Sequence, residues 1–483
     1  MFRAARQCAD IQHGRRRRLW RAVGPSGRDA ATRRTVRTGG AQRMSGTDGA
    51  AYDAAFQGGL PERVDCVVVG GGIVGVFAAL DLARAGRSVL LCEKGGIGLE
   101  QSGRNWGWCR TMGRAAAEIP LSREALDRWR TLEPDAGVDV GFRQCGTLYL
   151  AKSAADLRRY GRWIETAATR GHHDTTLLDA REVETFLPPG SAPWAGGMHT
   201  SSDGRAEPGR AAPVVAGLAV RAGAMIRTGC AVRGVETHGG RVQAVVTEHG
   251  RVACGQVLVA GGVWSRLLLQ GIGLSLPQLG VISTAARTAP TAAGADIPDC
   301  AVGGPDFAYR RRDDGGYTIA RRGVARHDLS RGSLALGPRF MKSWLGGSDK
   351  IRFRPDWSGQ TSTLIGSKSV LGERSVFEQC RTLDPAPEHD VMRQGLRRLV
   401  RNISSFEGVR IAQTWAGMID VLPDAVPVID RSRMIEGLYI ATGFSGHGFG
   451  IAPAAGNLIC HIMCGQAPTV DPAPFAAARH GTH

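Results

Sequence analysis

Apolar and polar positions follow two regimes along this chain. An apolar, β-branched run at 64–69 is bounded by glycines, as a buried parallel strand is, and Gly70-Gly71-Gly72-Ile73-Val74-Gly75 follows it. Helical spacing of apolar positions then runs over 76–85, ends at Gly86, and gives way to a second apolar run at 88–93. These segments predict one βαβ unit of about thirty residues. Amphipathic helices are expected at 121–132, 154–170 and 206–222, the last with Pro208 near its start, where proline is tolerated. Short strands are predicted at 225–228, 231–236, 242–248 and 256–260. The stretch 278–330 alternates strands and polar turns, including 307–311, the turn Asp313-Asp314-Gly315-Gly316, and 317–320. A strand at 437–442, a glycine-rich turn and a helix at 451–464 close the pattern. Alternation at both ends with an antiparallel block between predicts an α/β protein of two interleaved domains.

Composition narrows the class. The chain has 483 residues, 43% hydrophobic and 22% charged, which suits two to four domains with sizeable cores. Its net charge is +17, but residues 1–43 alone carry twelve Arg against Asp10 and Asp29. The basic character is mostly a property of that tail, so no nucleic-acid partner is expected. The tail, with Arg15-Arg16-Arg17-Arg18, reads as a transit peptide, a nucleic-acid arm or an over-extended start. We expect residues 1–60 to be a disordered basic leader, with the working start at Met44. Eleven scattered cysteines without CxxC or zinc spacing predict no metal site and a reduced, cytoplasmic protein. No 18-residue uncharged apolar stretch exists, so no transmembrane segment is expected.

The strongest chemical signal is the GxGxxG of Gly70, Gly72 and Gly75 between a strand and a helix. The first glycine makes the tight turn, the second admits a pyrophosphate to the backbone, and the third lets helix and strand pack. Glu93 ends the second strand, where a carboxylate accepts hydrogen bonds from adenosine ribose hydroxyls. The fingerprint alone leaves FAD and NAD open. No second GxGxxG exists for a nicotinamide nucleotide, and Gly443-Phe444-Ser445-Gly446-His447-Gly448-Phe449-Gly450 leads into a helix whose N-terminus suits an anionic partner.

Together with Val257-Leu258-Val259-Ala260-Gly261-Gly262-Val263-Trp264-Ser265 and Trp415-Ala416-Gly417-Met418-Ile419-Asp420-Val421-Leu422-Pro423-Asp424, these motifs resemble the FAD-dependent D-amino-acid oxidase superfamily. Its members include glycine oxidase, sarcosine oxidase and D-amino-acid dehydrogenase. The resemblance covers roughly residues 62–466. It implies a Rossmann-like, non-contiguous FAD-binding domain (62–140, 203–275 and 405–466), an α+β substrate domain with an antiparallel sheet (141–202 and 276–404), and a tail at 467–483. It further implies that a D-amino acid or N-alkyl amino acid loses hydride from carbon to flavin N5, forming an imine that water hydrolyses. Oxygen or a quinone takes the electrons, and the protein is a monomer or homo-oligomer. Gly70, Gly72, Val74, Gly75, Glu93 and Lys94 would hold the ADP half. Ser102, Arg104, Asn105 and Trp106 would form a loop along the flavin, with Val232 at adenine, Gly261 at the ring, and Gly446, His447, Gly448 and Phe449 at its pyrimidine edge.

Three departures matter. Gly417 stands where sarcosine-oxidase-type members attach FAD through a cysteine, which implies non-covalent FAD. Gly450 stands where that group has lysine, and Ile419 where glycine-oxidase-type members hold a carboxylate-binding arginine. An amino-acid substrate therefore needs a guanidinium from elsewhere. Candidates are Arg104 and Arg110 beside the flavin loop, and Arg310 and Arg312, which share a strand face, with Tyr309 and Tyr317 flanking them. Asp420 is a candidate amine or ribityl partner and His447 a candidate base. Three alternatives stay open: an amine oxidase without carboxylate recognition, a flavin monooxygenase fed by NAD(P)H, and a non-catalytic flavin subunit of a larger dehydrogenase.

Overall fold

Strand Arg63–Val69 runs parallel to Val89–Cys92 on one side and Gly250–Val259 on the other. Met225–Arg227 and Leu438–Thr442 extend this parallel core at its two flanks. The strands are apolar on both faces because helices Ile73–Arg84, Pro208–Arg221 and Gly448–Cys464 cover one side and an antiparallel meander, Val232–His238, Arg241–Thr247 and Gly250–Val259, branches off the other. The structure is a computed structural model. It describes residue 56 and residues 58–137, 139–291, 297–346, 350–356 and 373–481. The expected basic leader, with its start at Met44, lies almost wholly outside the described residues.

A second sheet of ten strands carries the antiparallel block. Leu279–Thr288 lies at its heart and pairs with Tyr317–Ala320, Val324–Leu329 and Ile411–Val421. The block is not purely antiparallel: Ala301–Gly303 pairs in parallel with Thr147–Ala151, and Val324–Leu329 with Lys350–Pro355. Parallel neighbours need a crossover, which helix Arg331–Gly346 supplies for the second pair, and period-two patterning carries no sign of strand direction. Residues 411–421 were expected with the dinucleotide-binding segments. They form a strand of this second sheet, paired along its length with Leu279–Thr288, and its C-terminal half, from Gly417, lines the cavity described below. The expected tail is also docked: Phe475 is fully buried, and Arg479 bonds Asp424 (2.8 Å) and the Pro427 carbonyl (2.9 Å). No described helix is long and apolar enough to cross a membrane.

Two helices set the geometry of everything that follows. Helix Gly448–Cys464 packs along helix Ile73–Arg84, both rich in small buried residues, and both begin at the same cavity. A Cβ on Gly456 would stand 2.7 Å from the Phe77 Cβ and 2.8 Å from the Ala78 nitrogen. Glycine there is a condition of the helix spacing. An alanine in a helix normally gains about 1 kcal/mol over glycine. Gly456→Ala should instead destabilise by about 1–3 kcal/mol through overpacking. Gly161→Ala, in helix Ala154–Ala168 with open space around it, should show the ordinary gain. Chemical denaturation of the two variants checks the opposite signs.

Candidate active site

A cavity of about 460 Å³ lies between the two sheets, within the compact unit Gly39–His483. One end is the glycine turn. Gly70 has φ +113°, and a Cβ on it would stand 2.6 Å from the Ala260 carbonyl oxygen. A Cβ on Gly75 would lie 2.0 Å from the Gly70 oxygen, so Gly75, alone among the expected cofactor residues in not lining the cavity, serves the helix–strand approach. Gly72 faces the open space, with only Ser102 Oγ near, at 3.2 Å. Ser102 sits on the one-turn helix Gln101–Arg104, and its hydroxyl accepts the Ile73 N–H at 2.8 Å, capping the helix start. Glu93 accepts the amides of Gly71 and Gly95, each at 2.7 Å. Burial pushes its pKa up, against the pull of Lys94 and those amides. Lys94 pairs with Glu100 (2.6 Å) and lies 4.3 Å from the Trp264 ring centroid. Asn105 braces the next turn, accepting the Gly107 amide and donating to the Ser102 carbonyl. Trp106, Val232 and Gly261 complete this lining.

The other end is the turn into the last helix. Asp420, almost fully buried, holds it. One carboxylate oxygen accepts Gln101 Nε2 (2.8 Å), the other Gln278 Nε2 (3.1 Å) and the Gly443 amide (2.7 Å), while its carbonyl accepts the Ser445 amide. Burial raises its pKa. These bonds make Asp420, itself part of the cavity lining, a knot between the sheet, the helix Gln101–Arg104 and the turn. Ser445 sits at φ +50°, a left-handed position costly for a non-glycine residue, and this knot holds it there. A Cβ on Gly446 would meet nothing closer than Ile419, at 3.5 Å, so this glycine, with Gly448 and Phe449, opens the cavity to the helix start. A side chain at Gly450 would meet the Trp108 carbonyl oxygen at 2.8 Å, so a lysine cannot stand there without moving the backbone.

The expected carboxylate clamps are redistributed. Arg310 grips Glu207 with two bonds (2.7 and 3.2 Å) and bonds the carbonyls of Trp106 and Arg311. Arg312 reaches Asp314 at 3.2 Å. Neither lines the cavity, and Tyr309 and Tyr317 lie in the core of the second sheet. The Asp313–Gly316 turn is the far end of its hairpin. The cavity meets the other end, where Arg321 and Arg322 follow strand Tyr317–Ala320. Arg104 does line the cavity, but it is buried, ion-paired to Asp384 and bonded to the carbonyls of Ala416 and Leu99.

What sequence reading missed is a cationic wall. Arg322 lies 4.3 Å and Arg110 5.5 Å from the Tyr149 ring centroid, and Arg114 is buried behind them with Nη1 unpartnered. Burial, then the Arg110 charge, pulls the Arg114 pKa down to about 10. Burial would raise the Tyr149 phenol, yet Arg110, Arg322 and Arg114 together hold it below its usual range. Arg110 was named from its place near the loop. Arg114 and Arg322 had no local motif, because strands distant in sequence bring them together. His447, at the helix start, has Nδ1 3.5 Å from Glu118, whose two buried oxygens have no hydrogen-bond partner. Burial, then Arg114, lowers the His447 pKa, against Glu118. The lowered pKa favours the neutral imidazole at pH 7, beside a buried carboxylate that sequence gave no reason to notice.

Residues 65–462 match the family model described as DAO, FAD dependent oxidoreductase. The chain is 26% identical over 443 residues to 4-methylaminobutanoate oxidase (formaldehyde-forming) of Paenarthrobacter nicotinovorans, covering 89% of this chain and 47% of that one. It thus spans about half that relative's length. Glycine oxidase of Pseudomonas aeruginosa is 26% identical over 427 residues, covering 87% of this chain and 99% of its own. Among solved structures, L-amino acid deaminase from Proteus myxofaciens in complex with anthranilate superposes with a TM-score of 0.83 at 30% identity, covering 88% of this chain and 95% of that one.

Two outcomes follow from this geometry. Asp420→Ala strands buried donors at Gly443 and Gln101, and should cost about 3 kcal/mol of stability. Asp420→Asn, which keeps one acceptor, should cost less. Because the His447 pKa is lower folded than unfolded, its contribution to stability is present above the ordinary value of 6.5 and fades as pH falls through the folded pKa. His447→Gln should therefore flatten the acid side of the stability curve, by at most about 1.4 kcal/mol per pH unit. Denaturation of wild type and variant between pH 5 and 8 measures the difference.

Proposed function

The chain belongs to the DAO family of FAD-dependent oxidoreductases, and on that footing we propose that it oxidises the C–N bond of an amino acid of either hand, primary or N-alkylated, with FAD held non-covalently. The observation that carries the reading is one cavity with a dinucleotide cradle at one end and the unpaired guanidiniums of Arg110 and Arg322 at the other.

The residues present fit FAD. Gly72, Gly261 and Gly446 each keep a Cβ-sized space open toward the cavity, and two helices begin there. Gly72, Val74 and Ser102 would hold the pyrophosphate, Glu93 the ribose, and Gly446, His447, Gly448 and Phe449 the flavin's pyrimidine edge. No side chain at position 417 is available for a covalent link. When bound, FAD supplies a two-electron acceptor for the hydride leaving the substrate carbon. The protein orients the substrate carboxylate on Arg110 or Arg322, and the surrounding positive charge favours a neutral amine. Neutral His447 is free to hold a proton at Nδ1 or Nε2 when the pair with Glu118 calls for it. Loss of hydride and a proton leaves an imine, which water converts to an oxo acid and ammonia or an amine. The electrons then pass to oxygen or a quinone.

Acid precipitation should release intact FAD into the supernatant, and flavin left on the precipitate contradicts non-covalent binding. At least one of Arg110→Met and Arg322→Met should lose about ten- to a hundredfold in kcat/KM on the best amino acid, and little on its decarboxylated amine. If both variants treat acid and amine alike, the amine-oxidase reading replaces this one.

A further inference from the structure

The cations lining the cavity fall into two sets. Lys94, Arg104 and Arg381 each face an acid, namely Glu100, Asp384 and Glu248. Arg110, Arg114, Arg321 and Arg322 make no ion pair with any described residue, although all four line the same cavity; Arg321 is bonded to Gln394. Arg110, Arg114 and Arg322 gather around Tyr149.

Both outer guanidiniums stand over the Tyr149 ring, Arg322 beside Cε1 and Gly303, and Arg110 beside Cε2 and Gly113. Each is anchored by one backbone carbonyl, Gly304 for Arg322 and Met112 for Arg110, which fixes the fork and leaves other N–H groups free. Glu118 and Asp203 offset part of the Arg114 charge, and Asp203 is itself held by the amides of Thr111 and Met112, but neither acid forms an ion pair with Arg110 or Arg322. Like charges confined in a site poor in water repel one another, and an anion is the species that relieves them. One guanidinium suffices for an α-carboxylate. The second has no task in a substrate with a neutral side chain.

Resting on the amino-acid reading above, we propose that the substrate carries two carboxylates, one for each of Arg110 and Arg322: an acidic amino acid or an N-carboxyalkyl amino acid. Arg114 strengthens the field from behind.

The test uses the FAD-loaded enzyme and two readouts. Glutarate and succinate, which cannot be oxidised, are titrated against butyrate while following the flavin absorption band and the thermal midpoint. The dicarboxylates should bind at least about tenfold tighter. Anaerobic flavin bleaching is then followed with aspartate and glutamate, both hands, against asparagine and glutamine. The acids should show an apparent Kd at least about tenfold below the amides. In one of Arg110→Met and Arg322→Met that ratio should fall to near one, and the corresponding Lys variant should restore part of it. Equal binding of acids and amides in wild type, or a ratio surviving in both Met variants, overturns the proposal. If neutral amino acids bleach the flavin well, the amino-acid reading stands and this one falls. If no amino acid bleaches it, that reading falls, and glutarate binding no tighter than butyrate removes this one too.

Discussion

The close approach of two buried helices governs this molecule. Helices Ile73–Arg84 and Gly448–Cys464 come from opposite ends of the described chain, pack through small residues, and start at one cavity. A helix start carries unsatisfied N–H groups and a partial positive charge. Two of them aimed into a shared space define an anion-binding volume before any side chain is considered. The glycines at 70, 75, 450 and 456 make the convergence possible, since a Cβ at any of them would strike backbone or a core side chain.

The second sheet supplies the opposite wall of the cavity. Strand Ile411–Val421 runs from that sheet into the cavity wall and delivers Asp420, the buried acceptor that fixes the turn before the last helix. The hairpin around Asp313–Gly316 delivers Arg322 at its open end, and the segment after Trp106 delivers Arg110 and Arg114.

The nucleotide half was legible because its chemistry is local. A strand, three glycines, a helix and Glu93 occur in one stretch of about thirty residues, and their roles follow from backbone sterics alone. The substrate half was not. Arg310 and Arg312 satisfied a correct rule about strand faces, but nothing in the spacing says which end of a hairpin meets a cavity. Arg310 is consumed by Glu207, a residue a hundred positions away in sequence. Glu118 and His447 likewise become a pair only through tertiary packing. Strand Ile411–Val421 joins the second sheet through pairing with Leu279–Thr288, more than a hundred residues earlier, which apolar alternation does not report.

The central claim is electrostatic: two helix starts and the four cavity-lining arginines without an ion pair among the described residues, Arg110, Arg114, Arg321 and Arg322, hold the cavity at positive potential, so negative charge acquired there is stabilised. The most direct measurement is the two-electron midpoint potential of the bound flavin against free FAD in the same buffer. A potential clearly above that of free FAD is the predicted result. A value equal to it or lower would contradict the account.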